Sequence, residues 1–277
     1  MIYLNGAIVP REQAKIDTAD RGLLLGDGLF ETLRAYGGQP FRLADHLKRL
    51  SHAAVALGIP LPVDAPGLAA SVTDVLAANR LQGADAVLRI TLTRGVGPRG
   101  LLPPEDPQPT VMITAAAYHA PETVMMSAAI VSIRRNGGSP LSRLKSLNYL
   151  DSVLAAREAA ACGADEAIML NNRGQVVCGA RANLFAVVDG VVMTPPLTDG
   201  ALGGITRHLA LEAARDLGLQ AEERSLLPGD LEAAGELFLT NSLLEIVPIG
   251  RLGDRDLPQR RIAAKIRQHY RQLINPM

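Results

Sequence analysis

Apolar residues recur along this chain with two different periods, and the periods predict where helices and strands lie. Spacings of three and four residues predict helices at residues 43–57, 69–81, 149–162, 206–217 and 260–273. Short apolar runs bounded by turn residues predict strands at residues 2–4, 86–93, 110–116, 126–134, 166–170, 183–188, 191–194 and 236–240. Asp189-Gly190, between two of these runs, predicts a hairpin turn.

The predicted elements mix without a strict alternation of strand and helix. This order favours a mixed α/β or α+β chain, and a length of 277 residues fits one large or two modest domains. A segment around Pro121 has the composition of a linker. We therefore predict an N-terminal α/β domain at residues 1–117, a linker at 118–122 and a C-terminal domain at 123–277.

Composition narrows the class of protein. The formal net charge is zero, which argues against a nucleic-acid or anionic-membrane partner, and 48% hydrophobic residues allow a substantial core. No apolar run reaches the length of a membrane span, and the first residues lack the pattern of a signal peptide. With only Cys162 and Cys178 present, no disulfide framework is expected, and a reducing cytoplasm fits.

The five histidines are scattered and give no metal signature. None pairs with a cysteine at the spacing of a zinc finger, so we expect no zinc site.

Lys145 stands out among the charged residues. The chain has four lysines among 28 basic residues, and Lys145 lies in a partly apolar stretch before an alanine-rich helix. A desolvated lysine can lose its proton and form a Schiff base, which arginine cannot do. The alternative interpretation is an ordinary lysine at the start of a helix.

Two segments have features of a phosphate site. Residues 199–207 place glycines directly before a helix that carries Thr206, where backbone amides and the helix dipole attract an anion. This segment lacks the Gly-Lys-Ser/Thr of a Walker motif, and a loop with a Thr cap is the alternative. Arg49, on a predicted helix, could supply a fork for phosphate, although such a basic run is often only a solvated face.

A third polar segment, Thr240-Asn241-Ser242, lies at the end of a predicted strand, where ligands commonly bind in mixed sheets. Turn chemistry is the alternative. Taken together, a lysine able to form an imine and several candidate phosphate contacts outline a site for pyridoxal 5′-phosphate, PLP.

The chain resembles the fold type IV, class IV PLP enzymes over nearly its whole length. This group includes branched-chain aminotransferases, D-amino-acid aminotransferases and 4-amino-4-deoxychorismate lyases. The matching segments occur in the family's order, and they are Asp20-Arg21-Gly22, Gly26-Asp27-Gly28-Leu29-Phe30-Glu31-Thr32-Leu33-Arg34, His46-Leu47-Lys48-Arg49-Leu50, Lys145-Ser146-Leu147-Asn148-Tyr149-Leu150, Ala182-Asn183-Leu184-Phe185, Thr194-Pro195-Pro196, Gly204-Ile205-Thr206-Arg207 and Thr240-Asn241-Ser242.

The resemblance implies a role for each motif. Lys145 would form the internal aldimine and move the proton between Cα and C4′ of the cofactor. Leu202 would pack on the pyridine ring, and Tyr149 would meet the phenolic oxygen, one place nearer the lysine than in some branched-chain relatives. The residues that would bind PLP are Arg49, Tyr149, Cys178, Asn183, Leu202, Gly204, Ile205, Thr206, Asn241 and Ser242. Those that would meet substrate are Phe30, Arg34 and Arg99.

The resemblance also implies an architecture. It predicts a smaller N-terminal α/β domain, a larger C-terminal domain with a barrel-like sheet, and the cofactor between them. It further implies a homodimer in which the loop of Arg99 crosses to the neighbouring subunit.

Cys178 departs from the family pattern. The family usually has a glutamate five residues before the asparagine of Ala182-Asn183-Leu184-Phe185, and its carboxylate keeps the pyridine nitrogen protonated. Counting back from Asn183 gives Cys178, and we expect no acid near it, because Glu166 is in the preceding strand and Asp189 follows the motif. A neutral thiol cannot supply that charge, so we expect a less protonated ring nitrogen.

Three functional hypotheses remain. The first is a transaminase of small amino acids and 2-oxo acids, although Leu101 stands where D-amino-acid enzymes usually have a histidine. The second is an aminodeoxychorismate lyase that releases pyruvate and 4-aminobenzoate, which residues 93–100, Asn241-Ser242-Leu243 and Cys178 favour. Glu31-Thr32 and Tyr149 are shared with transaminases. The third is a PLP-binding homologue without catalysis, which Lys145 and Arg49 argue against.

Overall fold

The computed structural model describes residues 1–121, 125–257 and 259–274. The end of the predicted linker at Glu122 therefore lies outside the described residues. The chain divides into two compact units. The first comprises Met1–His119 and Leu144–Asn148, and the second comprises Ala120–Arg143 and Tyr149–Met277. The sequence assigned the five residues around Lys145 to the C-terminal domain, whereas their contacts lie with the first unit.

The first unit is a six-stranded antiparallel sheet covered by two long helices, with strand order β2-β1-β6-β5-β3-β4. Its elements are β1 (Ile2–Leu4), β2 (Ala7–Val9), α1 (Arg21–Leu25), β3 (Gly28–Tyr36), β4 (Gln39–Pro40), α2 (Leu43–Leu57), α3 (Ala65–Ala78), β5 (Ala86–Thr93) and β6 (Thr110–Ala117). Apolar residues of β3, β5 and β6 pack against both long helices in one core.

Helix ends in this unit follow their capping residues. Helix α2 has the predicted bounds, and Gly58 ends it in a left-handed conformation with φ of 61°. Helix α3 begins four residues earlier than predicted because the Asp64 side chain accepts a hydrogen bond from the Gly67 amide, 2.9 Å away. Pro66 fits in the first turn, where no amide donor is needed.

Strand β3 was not predicted, and it carries much of the candidate site. It pairs with β5 from Gly28 opposite Thr93 to Ala35 opposite Ala86. Leu29 and Leu33 are buried in the core, but Glu31 lies between them and is also buried. Because a charged residue interrupts the apolar alternation, the pattern alone did not indicate a strand.

The second unit contains a nine-stranded mixed sheet that closes on itself. Its elements are β7 (Met126–Arg135), α4 (Leu150–Ala161), β8 (Glu166–Asn171), β9 (Val176–Gly179), β10 (Asn183–Val188), β11 (Val191–Thr194), α5 (Ile205–Asp216), β12 (Ala221–Glu223), α6 (Pro228–Ala233), β13 (Glu236–Asn241), β14 (Glu245–Leu252), β15 (Arg255–Asp256) and α7 (Arg261–Ile274). Strand β9 pairs with both β8 and β10, so β10, β13, β14, β7, β8 and β9 form a closed barrel.

The predicted fold class is confirmed: a smaller N-terminal α/β unit and a larger C-terminal unit with a barrel-like sheet. Strands β10 and β11 have the predicted bounds and form the predicted hairpin. Strands β9 and β14 were not predicted from the pattern. No helix among the described residues is long and apolar enough to cross a membrane.

Candidate active site

Lys145 is fixed through its backbone to the start of β3. The Phe30 amide donates to the Lys145 carbonyl, and the Leu147 amide donates to the Gly28 carbonyl, each over 2.9 Å. Ser146 pairs with Leu29 between these two bonds. The short segment therefore behaves as an added antiparallel strand, which fixes the direction of the Lys145 side chain.

The aromatic ring of Phe30 lies beside two cations. The Lys145 Nζ is 4.3 Å from the ring centroid, and the Arg89 guanidinium carbon is 3.8 Å from it. Both distances fit cation–π contacts. Arg89 was not singled out from the sequence, although an arginine inside the apolar strand at residues 86–93 was a usable signal.

Glu31 is a buried carboxylate with two partners on α2, an arginine and a histidine. Arg49 donates to both of its oxygens over 2.8 and 2.6 Å, and His46 Nδ1 lies 2.7 Å from one of them. Burial raises the pKa of Glu31, but the hydrogen bonds from Arg49 and His46 outweigh it and hold the pKa below its usual value. The ionised carboxylate fixes the orientation of the Arg49 fork.

The other two predicted substrate residues, Arg34 and Arg99, also belong to this unit. Arg34, four residues after Phe30 on β3, forms a salt bridge of 2.5 Å with Asp85. Its guanidinium lies 4.2 Å from the Tyr36 ring centroid and 4.9 Å from that of Tyr118. Arg99 is exposed in the connection between β5 and β6. Their substrate roles stay predictions.

In the second unit, the turn before α5 is built around Asn183. The Asn183 side-chain amide donates to the Leu202 carbonyl over 2.8 Å, and the Gly204 amide donates to the same carbonyl over 2.9 Å. A side chain at position 204 would overlap the Asn183 Oδ1, so glycine is required there. The motifs at residues 182–185 and 204–207, which are far apart in sequence, thus form one structure.

Helix α5 begins with an uncapped N-terminus within the described part of the chain. Gly204 is the N-cap residue, and no side chain caps the helix. The alternative of a Thr206 cap is therefore wrong. Backbone amides at a helix start attract anions, and the turn with Leu202, Gly204, Ile205 and Thr206 has the features of a phosphate cradle.

Cys178 lies directly opposite Asn183 where β9 meets β10, and it packs with Val177 and Ala201. Only 8% of the residue is exposed. Burial raises the pKa of the Cys178 thiol, with Arg135 opposing the rise and Glu166 adding to it. The Cys178 thiol is therefore neutral at physiological pH and contributes no charge where β9 meets β10.

Glu166 lies within electrostatic range of Cys178, which corrects the expectation that no acid lies near the thiol. The pairing of β8 with β9, with Met169 opposite Cys178, brings the start of β8 to this region. The Glu166 carboxylate accepts from the Ala180 amide over 2.9 Å and from Arg181 over 3.3 Å. Burial raises its pKa more than Arg181 and the amides lower it.

The chain was compared with known protein families, and one family model matches parts of both units. Residues 28–252 match the family model of class IV amino-transferases. The chain belongs to the class IV aminotransferase family.

Three similar proteins differ in the activity that their names give. A protein of Methanocaldococcus jannaschii, provisionally named a branched-chain-amino-acid aminotransferase, is 38% identical over 98% of this chain and 96% of its own length. An aminodeoxychorismate lyase of Bacillus subtilis is 33% identical over 91% and 86%. The solved branched-chain aminotransferase of the archaeon Thermoproteus uzoniensis, with norvaline, has a TM-score of 0.93, 37% identity, and 99% and 94% coverage.

Asn241 and Tyr149, two further residues predicted to contact the cofactor of this class IV aminotransferase, have defined local positions. The Asn241 Oδ1 accepts from the amides of Leu243 and Leu244 over 3.0 and 2.7 Å, which closes the turn between β13 and β14 next to Ser242. Tyr149 is half-buried and directly precedes α4. The cofactor roles predicted for these residues remain predictions.

Proposed function

We propose that this class IV aminotransferase uses pyridoxal 5′-phosphate, bound through Lys145, to move an amino group between an amino acid and a 2-oxo acid. The observation that carries the proposal is the fixation of Lys145. Its backbone is paired with β3 on both sides of the residue, and its amine contacts the Phe30 ring. A catalytic lysine needs this kind of fixed direction, whereas a surface lysine does not.

The described residues fit the phosphate group of the cofactor. The start of α5 offers backbone amides without a side-chain cap, and phosphate is the anion that such helix starts bind best. Arg49, oriented by Glu31, supplies a charged fork. We assign the phosphate to these groups, with Gly204, Ile205 and Thr206 in the cradle and Asn241 or Ser242 beside it.

The remaining roles follow from the chemistry. Bound PLP supplies a carbonyl that condenses with amines and a ring that accepts the electron pair released at Cα. Lys145 Nζ would hold the cofactor and would then move the proton at the substrate Cα. Leu202, whose carbonyl accepts from the Asn183 side chain, would pack against the ring, and Tyr149 would donate to the phenolic oxygen.

Substrate would meet the face of β3 and β5 around Phe30. Phe30 offers an apolar wall, and Arg89 is fixed over it by its ring contact. Arg99 would bind the substrate carboxylate, and Arg34 would fix the far end of the same face. Amino acids and 2-oxo acids both carry the carboxylate that these arginines require.

An aminodeoxychorismate lyase is the second candidate, and Cys178 is the observation that favours it. A neutral thiol beside the ring nitrogen gives a weaker electron sink than the usual carboxylate. Amino-group transfer depends on that sink more than elimination of pyruvate does. The similarity to the Bacillus subtilis lyase agrees with this alternative.

We further propose a homodimer in the cytoplasm. Leu23, Leu24, Leu101 and Leu102 expose 62% to 83% of their surface in the first unit, and such apolar surface is typical of a subunit contact. The two free cysteines fit a reducing compartment.

The visible spectrum of the PLP-loaded protein tests the proposal. We expect a panel of D- and L-amino acids, added without a 2-oxo acid, to convert the cofactor band to the pyridoxamine form. The amino acid that causes this conversion identifies the amino donor and its stereochemistry, D or L. A Lys145→Ala variant should bind PLP without this conversion. A band that no amino acid discharges, followed by pyruvate release from aminodeoxychorismate, would replace the transaminase with the lyase.

A further inference from the structure

The loop between β5 and β6 carries Arg99 on an exposed and irregular stretch. This loop, residues 94–109, exposes 82% of Leu101 and 83% of Leu102. A loop of this length without secondary structure loses much conformational entropy when it is held in one conformation. Its position therefore depends on the contacts that hold it.

Arg21 supplies those contacts from inside the loop. Only 3% of Arg21 is exposed. Its guanidinium donates to three consecutive carbonyls, those of Gly100, Leu101 and Leu102, over 3.1, 2.8 and 3.3 Å. The first of these carbonyls belongs to the residue that directly follows Arg99.

Arg21 is itself held by a partly buried ion pair with Asp27. Asp27 accepts from Arg21 Nε over 2.9 Å and from Arg94 over 2.8 and 3.1 Å. Arg94 also donates to the carbonyls of Leu57 and Gly58, at the end of α2. Burial raises the pKa of Asp27, but its bonds to Arg94 and Arg21 outweigh that effect and lower the pKa. The arrangement is therefore anchored to a rigid helix.

Asp20 fixes the two ends of the loop. Its carboxylate accepts from Thr93 over 2.9 Å at the end of β5 and from Thr110 over 2.8 Å at the start of β6. The loop also packs closely on the Arg21 side chain at Gly97, where an added Cβ would lie 2.8 Å from the Arg21 Cδ. The loop thus closes around the Arg21 side chain.

We propose that Arg21 is a positioning residue that holds the 94–109 loop in the conformation in which Arg99 binds the substrate carboxylate. The inference rests on the proposed function for the role of Arg99. Arg21 itself contacts neither substrate nor cofactor. Its planar fork reaches three carbonyls at once while a fourth bond to Asp27 fixes its plane, which a lysine cannot reproduce.

An Arg21→Gln variant of the PLP-loaded protein tests the proposal with two readouts. The first is the initial rate of trypsin cleavage between Arg99 and Gly100, followed by mass spectrometry. The second is the separate effect on KM and kcat for the amino donor. Arg255→Gln is the matched control, because Arg255 also donates to two backbone carbonyls, of Leu231 and Ala234, in the second unit.

We expect Arg21→Gln to accelerate cleavage after Arg99 about tenfold and to raise KM about tenfold, with kcat changed less than about threefold. The cofactor band should be unchanged, and Arg255→Gln should alter neither readout. Arg21→Lys should behave like Arg21→Gln rather than like the wild type. Unchanged cleavage in a folded Arg21→Gln variant would overturn the proposal, and so would faster cleavage with an unchanged KM.

Gly97→Ala provides the same test if the Arg21 variant does not fold. It keeps every charge but forces the loop away from the Arg21 stem, so both readouts should change in the same direction. The cleavage readout does not depend on the reaction. A failure of the proposed function would appear as a wild type without turnover of any donor, and a failure of the positioning role would appear as unchanged cleavage in both variants.

Discussion

Two buried glutamates, one in each unit, have pKa values shifted in opposite directions. Glu31 is 1% exposed and Glu166 is 2% exposed, so both lose nearly all contact with water. Glu31 has a two-bond fork from Arg49 and a contact with His46, and its pKa is lowered. Glu166 has two backbone amides and one contact of 3.3 Å from Arg181, whose side chain is 60% exposed, and its pKa is raised.

The difference shows that burial alone does not set the charge of these carboxylates. Water screens the Arg181 partner of Glu166, whereas Arg49 and His46 are largely removed from water and hold the Glu31 charge. The first unit therefore keeps a firmly ionised group beside its candidate phosphate ligand. The second unit has a neutral thiol at Cys178 and, within electrostatic range of it, a carboxyl at Glu166 whose charge has weaker partners.

The largest expected effect is on stability when the Glu31 charge is removed. Glu31→Gln leaves Arg49 and His46 facing a neutral amide inside the protein. Loss of one partner in a buried ion pair costs about 3–5 kcal/mol, and we expect the urea midpoint of unfolding to fall accordingly.

Glu166→Gln is the matched control for this comparison. The amide oxygen can still accept the Ala180 hydrogen bond, so the free energy of unfolding should fall by less than about 1 kcal/mol. Equal losses in the two variants would show that both carboxylates are equally ionised and would remove the contrast.

The next effect is on catalysis at Cys178. If Cys178 faces the ring nitrogen as proposed, Cys178→Glu would place a carboxylate there, and we expect any transaminase rate to rise about tenfold, by analogy with other buried charges that stabilise a transition state. Glutamine has nearly the same volume as glutamate but no charge, so Cys178→Gln should give no such rise. An unchanged rate in Cys178→Glu would mean that Cys178 does not set the protonation of the ring.

A smaller effect concerns pH, and the two glutamates should act in opposite directions. The folded pKa of Glu31 lies below its ordinary value of 4.5, so its contribution to stability is present above pH 4.5 and lost as the pH falls through the folded pKa. The folded pKa of Glu166 lies above 4.5, so its contribution is present below pH 4.5 and lost as the pH rises through the folded pKa.

Urea midpoints measured across this pH window would check both signs. Relative to the wild type, Glu31→Gln should lose less stability as the pH falls below the ordinary glutamate value. Glu166→Gln should lose less as the pH rises above it. A pH profile of Glu166→Gln parallel to that of the wild type would contradict the raised pKa.

The smallest effect is expected from Arg181→Gln. The Arg181 side chain is 60% exposed, and exposed ion pairs contribute about 0–1 kcal/mol. Stability at neutral pH should therefore change little, while the pKa of Glu166, measured by carboxyl NMR titration, should rise further. A lower pKa would show that Arg181 does not support the charge.

Local sequence signals predicted elements whose ends have a clear cap or turn. Gly58 ends α2 at the predicted residue, and Asp189-Gly190 joins β10 and β11 as predicted. The same signals failed where pairing partners decide the structure. Strand β3 includes buried Glu31, whose charge is tolerated only because two residues of α2 face it.

The candidate site shows the same division. The motifs around Lys145, Asn183 and Gly204 were found in the sequence, and the structure joins Asn183 to the Gly204 turn. Arg89 was missed because its importance comes from its position over Phe30. Glu166 was set aside because its distance from Cys178 in sequence hides the pairing of β8 with β9.

The sequence by itself determined the family and the class of fold, and it singled out Lys145 as a candidate, because these depend on residue types at fixed spacings. The tertiary structure alone decided that Glu31 is ionised, that Glu166 approaches Cys178, and that Arg21 lies inside the 94–109 loop. Each of these depends on the distance between groups that are far apart in the chain. Burial and charge act through such distances, which no local pattern specifies.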